Sequence, residues 1–241
     1  MSDKINVSAV SYTNTKPFVY GLIHSPVAAH INLSLDIPAT CADKLLNNEV
    51  HIGLVPVATL LRMPSYELLS DYCIGAVGAV NSVFIFSDKP IEEIQSIRFD
   101  AQSRTSNLLA QVLMKHLWKK EVNWVKEGEA DAFIEIGDRT FGKKAQYAYS
   151  YDLSECWFSL TQLPFVFAAW VSVVKLPPHF LSLFNEALAF GLHNRNVVIE
   201  SLAEENLAID VRAYLTQSID YHFDAQKRLG LSTFLELAST L

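Results

Sequence analysis

Clustered positive charge is missing from this chain of 241 residues, which has 26 Asp and Glu against 19 Lys and Arg and a formal net charge of -7. Nucleic-acid binding needs Lys and Arg in clusters that displace counterions from phosphates. The sequence contains no basic stripe, so we expect no nucleic-acid partner. Charged residues are also few, at 19%, whereas 50% of the residues are hydrophobic. A chain of this composition can bury one large core or two modest ones, which excludes intrinsic disorder.

Cysteine is scarce as well. Cys41, Cys73 and Cys156 form an odd set without short spacing, so neither a disulfide framework nor a zinc knuckle is expected. The seven histidines show no paired spacing of the kind that binds a metal. The sequence therefore predicts no metal site.

Long uncharged segments are also rare. Asp3, Lys4 and Asn6 interrupt the start of the sequence, so no apolar leader is indicated and a cytoplasmic location is expected. The one uncharged stretch that approaches the length of a membrane span covers residues 156–174. Because it contains several polar residues and Pro164, it is predicted to be a loop that leads into a buried strand. No membrane partner is expected.

Short apolar runs alternate with helical periodicities, which is typical of a parallel sheet covered by helices. The first part of the chain predicts strands at 5–12, 31–36 and 52–55 and helices that open at Pro38 and Pro56. Strands at 72–77 and 82–87 come next. The polar segment 88–90 then predicts a crossing between two lobes.

A second set of elements follows this crossing. Its predicted members are a strand at 97–99, a helix with an apolar stripe from Leu108 to Leu117, strands at 122–125 and 132–136, and a buried strand at 165–174. The remaining residues are predicted to be helical, from Pro177, from about residue 204 to 224, and from Thr233 to the end.

This order of elements predicts an α/β protein with the two-lobed architecture of the type II periplasmic-binding-protein fold. Each lobe is a sheet flanked by helices, and the ligand cleft lies between them. Lobe 1 is expected to comprise residues 1–87 and 170–241, and lobe 2 residues 88–169. Strand ends and helix N-termini converge on such a cleft, where their unpaired backbone N–H groups can bind a small anion. We therefore expect a small-molecule partner; the sequence makes no prediction of oligomeric state.

Two polar clusters fall at the predicted cleft in the first part of the chain. Ser11, Asn14 and Thr15 follow the first strand, and the Asn14 amide offers both a donor and an acceptor to a ligand. The alternative is that this cluster caps the next helix. Asn81 and Ser82 precede a later strand, where an ordinary strand serine is the simpler interpretation of Ser82.

Two further clusters belong to the second part of the chain. Three hydroxyls and an arginine stand between a strand and a helix: Ser103, Arg104, Thr105 and Ser106. A helix cap needs only one hydroxyl, so this cluster favours an anion site at a helix N-terminus. Asp138, at the end of another strand, either orients a ligand hydroxyl or caps the following turn.

Seven short motifs occur in one characteristic order and spacing: Ser11-Tyr12-Thr13-Asn14-Thr15, Gly53-Leu54-Val55-Pro56-Val57, Asn81-Ser82-Val83, Ser103-Arg104-Thr105-Ser106, Ile136-Gly137-Asp138, Tyr151-Asp152-Leu153 and Leu163-Pro164-Phe165-Val166-Phe167-Ala168. In these motifs the sequence resembles the chorismate dehydratases of the futalosine route to menaquinone. The resemblance extends over nearly the whole chain, because Tyr214, Ile219-Asp220-Tyr221 and Gly230-Leu231 also match the C-terminal pattern of that family.

The resemblance implies a lyase that uses no metal and no organic cofactor and removes water from chorismate to give 3-[(1-carboxyvinyl)oxy]benzoate. It implies catalytic roles for Asn14 and Ser82, which would fix the geometry while the substrate's own enolpyruvyl carboxylate takes the C3 proton. Substrate-binding roles are expected for the other polar residues of the clusters: Ser11, Thr15, Asn81, Ser103, Arg104, Thr105, Ser106 and Asp138.

Two other functions remain open from the sequence. One is a non-catalytic protein of the same fold that binds a small anion. The other is the sister enzyme of the pathway, a dihydroxynaphthoate synthase, for which a histidine general base is expected in the cleft. None of the seven histidines falls in a matched motif.

Overall fold

The computed structural model describes residues 4–205 and 207–241 and contains two sheets. The predictions that touch Met1, Ser2, Asp3 or Asn206 lie outside the described residues. The first sheet has six strands in the order β11, β4, β10, β3, β1, β2. Their bounds are β1 (Ile5–Val10), β2 (Ile31–Asp36), β3 (Ile52–Pro56), β4 (Glu67–Ala76), β10 (Phe165–Ser172) and β11 (Asp220–His222).

The centre of the first sheet is buried on both faces. Every residue of β3 is buried, as its continuous apolar sequence predicts for a strand covered by helices on both sides. β1 pairs in parallel with β2 and β3, whereas β10 runs antiparallel between β3 and β4. The helices that follow β1 and β2 are α1 (Lys16–His24) and α2 (Pro38–Leu46), and each has proline in its first turn, where a backbone N–H is not needed.

The second sheet has five strands in the order β7, β6, β8, β5, β9. Their bounds are β5 (Val83–Ser87), β6 (Ser96–Arg98), β7 (Asn123–Val125), β8 (Ala132–Ile136) and β9 (Tyr149–Asp152). The helices of this part are α3 (Arg104–His116) and α4 (Leu153–Thr161). α3 presents the predicted apolar stripe to the interior, with Leu109, Val112 and Leu113 fully buried.

The chain passes from the first sheet to the second between Ala76 and Val83 and returns between Asp152 and Phe165. β5 therefore belongs to the second sheet, where it pairs with β8 and β9, and the segment 88–90 is a turn within that part and not the crossing. The predicted boundaries between the lobes, after residue 87 and after residue 169, concern folding units and stay a prediction.

The C-terminal part packs mainly against the first sheet. Its helices are α5 (Pro178–His193), α6 (Arg195–Ala203), α7 (Val211–Ala213) and α8 (Ala225–Ala238). α5 lies against α1 and β4, and α8 lies against β10 and also against α3 of the second part. The C-terminal residues thus contact both halves of the molecule. We call the elements around the first sheet the first half and the elements around the second sheet the second half.

Three predictions of local structure are wrong. Residues 156–161 are helical, because Asp152 caps α4 by accepting hydrogen bonds from the Ser154 and Glu155 N–H groups. The region from about 204 to 224 is not a single helix, since it contains α7, a π-turn (Tyr214–Ser218) and β11. The last helix begins at Ala225, eight residues before Thr233, and Asp224 is its N-cap.

None of the helices in the described part of the chain is both long and apolar enough to cross a membrane. The uncharged stretch 156–174 is instead divided between α4 and β10.

Candidate active site

A cavity lies between the two sheets, where the C-terminal ends of β1, β3 and β8 meet the start of β5 and the N-terminus of α3. We call it the cleft cavity. Its empty space amounts to about 540 Å³ when the open mouth is included. Six of the ten predicted site residues line it: Asn14, Thr15, Ser82, Ser103, Thr105 and Ser106. The described lining residues are all uncharged.

Asn14 is held at both its side chain and its backbone. It lies in a 3-10 turn that covers residues 13–15, directly after β1. The Thr15 hydroxyl donates to the Asn14 side-chain oxygen at 3.1 Å, and the Tyr221 hydroxyl donates to the Asn14 backbone carbonyl at 2.8 Å. These two bonds fix the turn and leave the side-chain amide group at the cavity wall.

Asp138 lies behind this turn and not in the cavity wall. Its carboxylate accepts hydrogen bonds from the Thr13 N–H at 3.1 Å and from the Thr13 hydroxyl at 3.0 Å. Burial raises the pKa of Asp138, and the hydrogen bonds from Thr13 oppose that shift. These contacts join the end of β8 to the turn at Asn14, and no side-chain hydrogen bond from the described residues caps the turn at residues 137–140. The ligand-orienting role of Asp138 stays a prediction.

Ser82 is the counterpart of Asn14 on the side of the second sheet. It stands directly before β5, is 1% exposed, and lies 2.9 Å from the Tyr214 hydroxyl, measured between the two side-chain oxygens. Burial raises the pKa of Tyr214, and the hydrogen bond between Tyr214 and Ser82 partly opposes this effect. Tyr214 was missed as a site residue, although its match to the C-terminal pattern of the resembled family was a usable signal.

The N-terminus of α3 forms another wall of the cavity. Ser103 caps the helix, because its hydroxyl accepts from the Ser106 N–H at 3.0 Å. The Thr105 hydroxyl accepts from the Ala58 N–H at 3.2 Å and lies 3.3 Å from the Phe167 carbonyl, to which it donates. Thr105 thereby fastens α3 to the first sheet. The partial positive charge of the helix start faces the cavity, as an anion site requires.

The remaining predicted site residues lie outside the cavity wall. Arg104 forms an ion pair with Asp43 of α2 at 2.6 Å. Asn81 points away from the cavity, with its side-chain amide donating to the Ser218 hydroxyl at 3.1 Å. Its positive φ of 57° turns the chain so that Ser82, the next residue, faces inward. The Ser11 side chain is exposed.

Tyr12 closes one side of the cavity by contacting the second half of the molecule. Its hydroxyl donates to the Gln102 side-chain oxygen in the loop before α3. Its ring packs on Gly137, where an added Cβ would come within 2.8 Å of the ring and where φ is 65°. Glycine is required here by both the backbone conformation and the close approach.

Titratable side chains do not gather around the cavity. Within residues 4–205 and 207–241, no group of three or more His, Cys, Asp and Glu side chains is placed to hold a metal ion. The described lining residues include no His, Asp, Glu or Lys, so none of them is an evident general base.

Two helix-flanked sheets that enclose a small cavity between them, joined by two crossings, define an α/β protein of the periplasmic-binding-protein-like class. A family profile described as menaquinone biosynthesis matches residues 5–240, and the chain therefore belongs to this family. The resemblance found in the sequence is thus confirmed at the level of the family.

A sequence relative agrees with the family, and solved structures agree with the fold. The chain is 28% identical to a chorismate dehydratase of Thermus thermophilus over 230 residues, which cover 83% of this chain and 84% of the relative. Protein AF1704 of Archaeoglobus fulgidus has a similar structure, with a TM-score of 0.75 and 16% identity over 99% of this chain and 98% of that one. The Candida albicans protein CA3427, described as having the generic periplasmic binding protein fold, has a TM-score of 0.70 and 13% identity over 99% and 90% of the two chains.

Proposed function

We propose that the protein is a chorismate dehydratase, a lyase that converts chorismate to 3-[(1-carboxyvinyl)oxy]benzoate and water. One observation carries the proposal: the cleft cavity brings Asn14 of the first half and Ser82 of the second half to one uncharged space beside the N-terminus of α3. Membership of the menaquinone-biosynthesis family and the similarity to a chorismate dehydratase support the choice of substrate.

The chemistry suits a cavity without a protein base. The C3–H bond of chorismate breaks, and the electron pair enters the ring system that is conjugated with the ring carboxylate. The C4–O bond then breaks, hydroxide leaves, and the proton taken from C3 completes the water molecule. The ring becomes aromatic, so much of the driving force belongs to the substrate. The protein has to position the substrate and stabilise the negative charge that develops on the ring carboxylate.

We assign the role of base to the enolpyruvyl carboxylate of the substrate. Among the described residues around the cavity, only amide, hydroxyl and backbone groups are polar, and these donate hydrogen bonds but do not take protons at neutral pH. Asn14 and Ser82 hold this carboxylate over C3. The helix start of α3, with Ser106 beside it, holds the ring carboxylate.

The other predicted site residues take supporting roles in this proposal. Ser103 and Thr105 fix the start of α3 through their hydrogen bonds to Ser106 and Ala58. Thr15 and Asp138 fix the turn that carries Asn14, and Asn81 sets the direction of Ser82. Arg104 lies with Asp43 outside the cavity wall. A cytoplasmic location is part of the proposal, and cell fractionation tests it.

The direct test is incubation of the purified protein with chorismate, followed by mass and ultraviolet spectra of the product. A product lighter by one water that keeps the pyruvyl ether is expected. Release of pyruvate would indicate a different lyase, and unchanged chorismate would favour a binding protein of the same fold or the sister enzyme.

The two catalytic assignments are tested by Asn14→Ala and Ser82→Ala. Each is expected to lower kcat by about 100-fold or more, since each removes a donor that is already oriented toward the reacting substrate. The exposed residues Asn47 and Ser232 provide matched controls, and Asn47→Ala and Ser232→Ala are expected to keep the wild-type rate. Wild-type rates in folded Asn14→Ala and Ser82→Ala proteins would contradict the mechanism.

A further inference from the structure

Tyr214 forms a hydrogen bond with Ser82, one of the two residues on which the proposed reaction depends. Its hydroxyl oxygen lies 2.9 Å from Ser82 Oγ. Asn14 follows β1 of the first sheet, whereas Ser82 precedes β5 of the second. Tyr214 comes from a third segment of the chain, the π-turn in the C-terminal part, and contacts Ser82 from there.

The chemistry of the two hydroxyls sets the direction of the bond between Tyr214 and Ser82. A phenol is a stronger acid than an alkyl alcohol, and an alcohol oxygen is the better acceptor, so Tyr214 donates and Ser82 accepts. In the described part of the chain Ser82 Oγ has no second hydrogen-bond partner. Its own proton is therefore free to point into the cleft cavity, where it meets a substrate oxygen as a donor.

The surroundings of Tyr214 hold its hydroxyl in place. The residue begins the π-turn, a rare distortion of helices that is often found at functional sites. Its ring is 1% exposed and packs edge-on against Phe141, with 5.3 Å between the ring centres. Because burial raises the pKa of Tyr214, the hydroxyl keeps its proton and stays a donor throughout the neutral range.

We propose that Tyr214 is a positioning residue for the dehydration, which orients the Ser82 hydroxyl so that its proton points at the substrate carboxylate. This inference rests on the proposed function. It adds a residue that does not line the cleft cavity and that acts through Ser82.

The experiment compares Tyr214→Phe, Ser82→Ala and the double variant in steady-state turnover of chorismate. Tyr214→Phe keeps the ring and its contact with Phe141 and removes only the hydroxyl. Its kcat is expected to fall by about 10-fold to 100-fold, with KM within about 3-fold of wild type, because orientation in the transition state is lost and bulk binding is kept. The double variant is expected to be no slower than Ser82→Ala alone.

The matched control is Tyr151→Phe, which removes a tyrosine hydroxyl hydrogen-bonded to the Ile91 N–H at 2.7 Å, away from the cleft cavity. It is expected to keep the wild-type kcat, and the melting temperatures of all variants are compared in the same assay buffer.

Wild-type kcat in Tyr214→Phe overturns the inference and leaves the proposed function intact. A double variant in which the two losses multiply, or a rise in KM alone, overturns the inference in the same way. A wild-type protein that leaves chorismate unchanged contradicts the proposed function and the inference together.

Discussion

The polar part of the described cavity wall consists of hydroxyl, amide and backbone groups, without a charged side chain, and we propose that this cavity holds a substrate with two carboxylates. Backbone N–H groups and the start of α3 can supply the positive potential that the carboxylates require. The net charge of -7 is compatible with this, because the local donors and not the total charge decide the binding of a small anion.

The first prediction concerns the pH dependence of turnover. Above the pKa of its carboxylates the substrate keeps its own base, and the raised pKa of Tyr214 keeps that residue neutral through the same range. We expect kcat/KM for chorismate to be flat from about pH 6 to about pH 9, since no described lining residue titrates there. A pH–rate profile in buffers of constant ionic strength checks this. An inflection near pH 6.5 would indicate a histidine base and contradict the mechanism.

At the scale of the residue, the sequence located the polar clusters but not the direction of each side chain. Arg104, Thr105 and Ser106 are neighbours in the sequence, yet Arg104 points to Asp43 while Thr105 and Ser106 line the cavity. Successive residues of a helix point about 100° apart, so their directions depend on how α3 lies on the sheet. A local pattern does not contain that information.

At the scale of the element, helices α1 and α5 pack against each other through two glycines. Gly21 and Gly191 face each other at the crossing, and a Cβ added to Gly191 would come within 2.0 Å of the Pro17 carbonyl oxygen. The two atoms nearest to this added Cβ, the Pro17 carbonyl oxygen and the Gly21 nitrogen, belong to the backbone and cannot rotate away. The pair of glycines therefore sets how closely α5 approaches the first sheet.

Gly191→Ala is expected to destabilise the protein by about 1–3 kcal/mol. Overpacking at the crossing costs more than the gain in helix propensity, which is about 1 kcal/mol. Urea denaturation measures the change. The control is Ser182→Ala on the exposed face of α5, which is expected to stay within about 0.5 kcal/mol of wild type. Equal stability of Gly191→Ala and wild type would show that the helices can separate freely.

A second prediction at this scale concerns Asp131, which precedes β8 and accepts hydrogen bonds from Lys89 and from the N–H groups of Gln95 and Ser96. The bond from Lys89 and these N–H groups lower the pKa of Asp131 to about 2. Its stabilising effect is therefore complete above the ordinary aspartate pKa of about 3.9 and is lost as the pH falls through about 2.

Asp131→Asn is expected to lower the melting temperature at pH 7, and the difference from wild type is expected to shrink as the pH falls from about 4 to about 2. Thermal unfolding followed by circular dichroism at several pH values measures both effects. Asp71→Asn, a change at an exposed aspartate, is the control and is expected to have little effect at any pH. A difference that stays constant or grows in acid would contradict the ion-pair explanation.

Strands and helices with clear periodicity were predictable from the sequence, whereas the region from 204 to 224 was not. Apolar residues in that region are spaced roughly as in a helix, but Tyr214 and Leu215 are buried from a π-turn and Tyr221 from an edge strand, with the buried Ile219 between the two. β11 forms because the edge of β4 offers unpaired backbone groups. Tertiary structure therefore decides the local conformation in this region.

At the scale of the whole molecule, the candidate site is assembled from distant parts of the sequence. The hydrogen bonds from Tyr214 to Ser82 and from Tyr221 to Asn14 join residues that are 132 and 207 positions apart. The sequence predicted two lobes with a cleft, and the resemblance supplied Asn14 and Ser82. Neither showed that the C-terminal segment completes the site, because contacts at such separation follow from the packing of both sheets.

The ion pair between Arg104 and Asp43 joins α3 of the second half to α2 of the first and gives the last prediction. Both side chains are partly exposed, at 28% and 53%, so the pair stabilises this contact between α2 and α3 by at most about 1 kcal/mol. Arg104→Gln and Asp43→Asn are each expected to raise KM for chorismate by no more than about 5-fold, with kcat unchanged. The double variant is expected to match the single ones, and the effect is expected to fade at high salt.

If Arg104 instead binds a substrate carboxylate, as the sequence predicted, Arg104→Gln alone would raise KM by about 10-fold or more while Asp43→Asn would not. Steady-state kinetics of the three variants at low and high salt therefore decide between a contact that closes the cleft and one that binds the substrate.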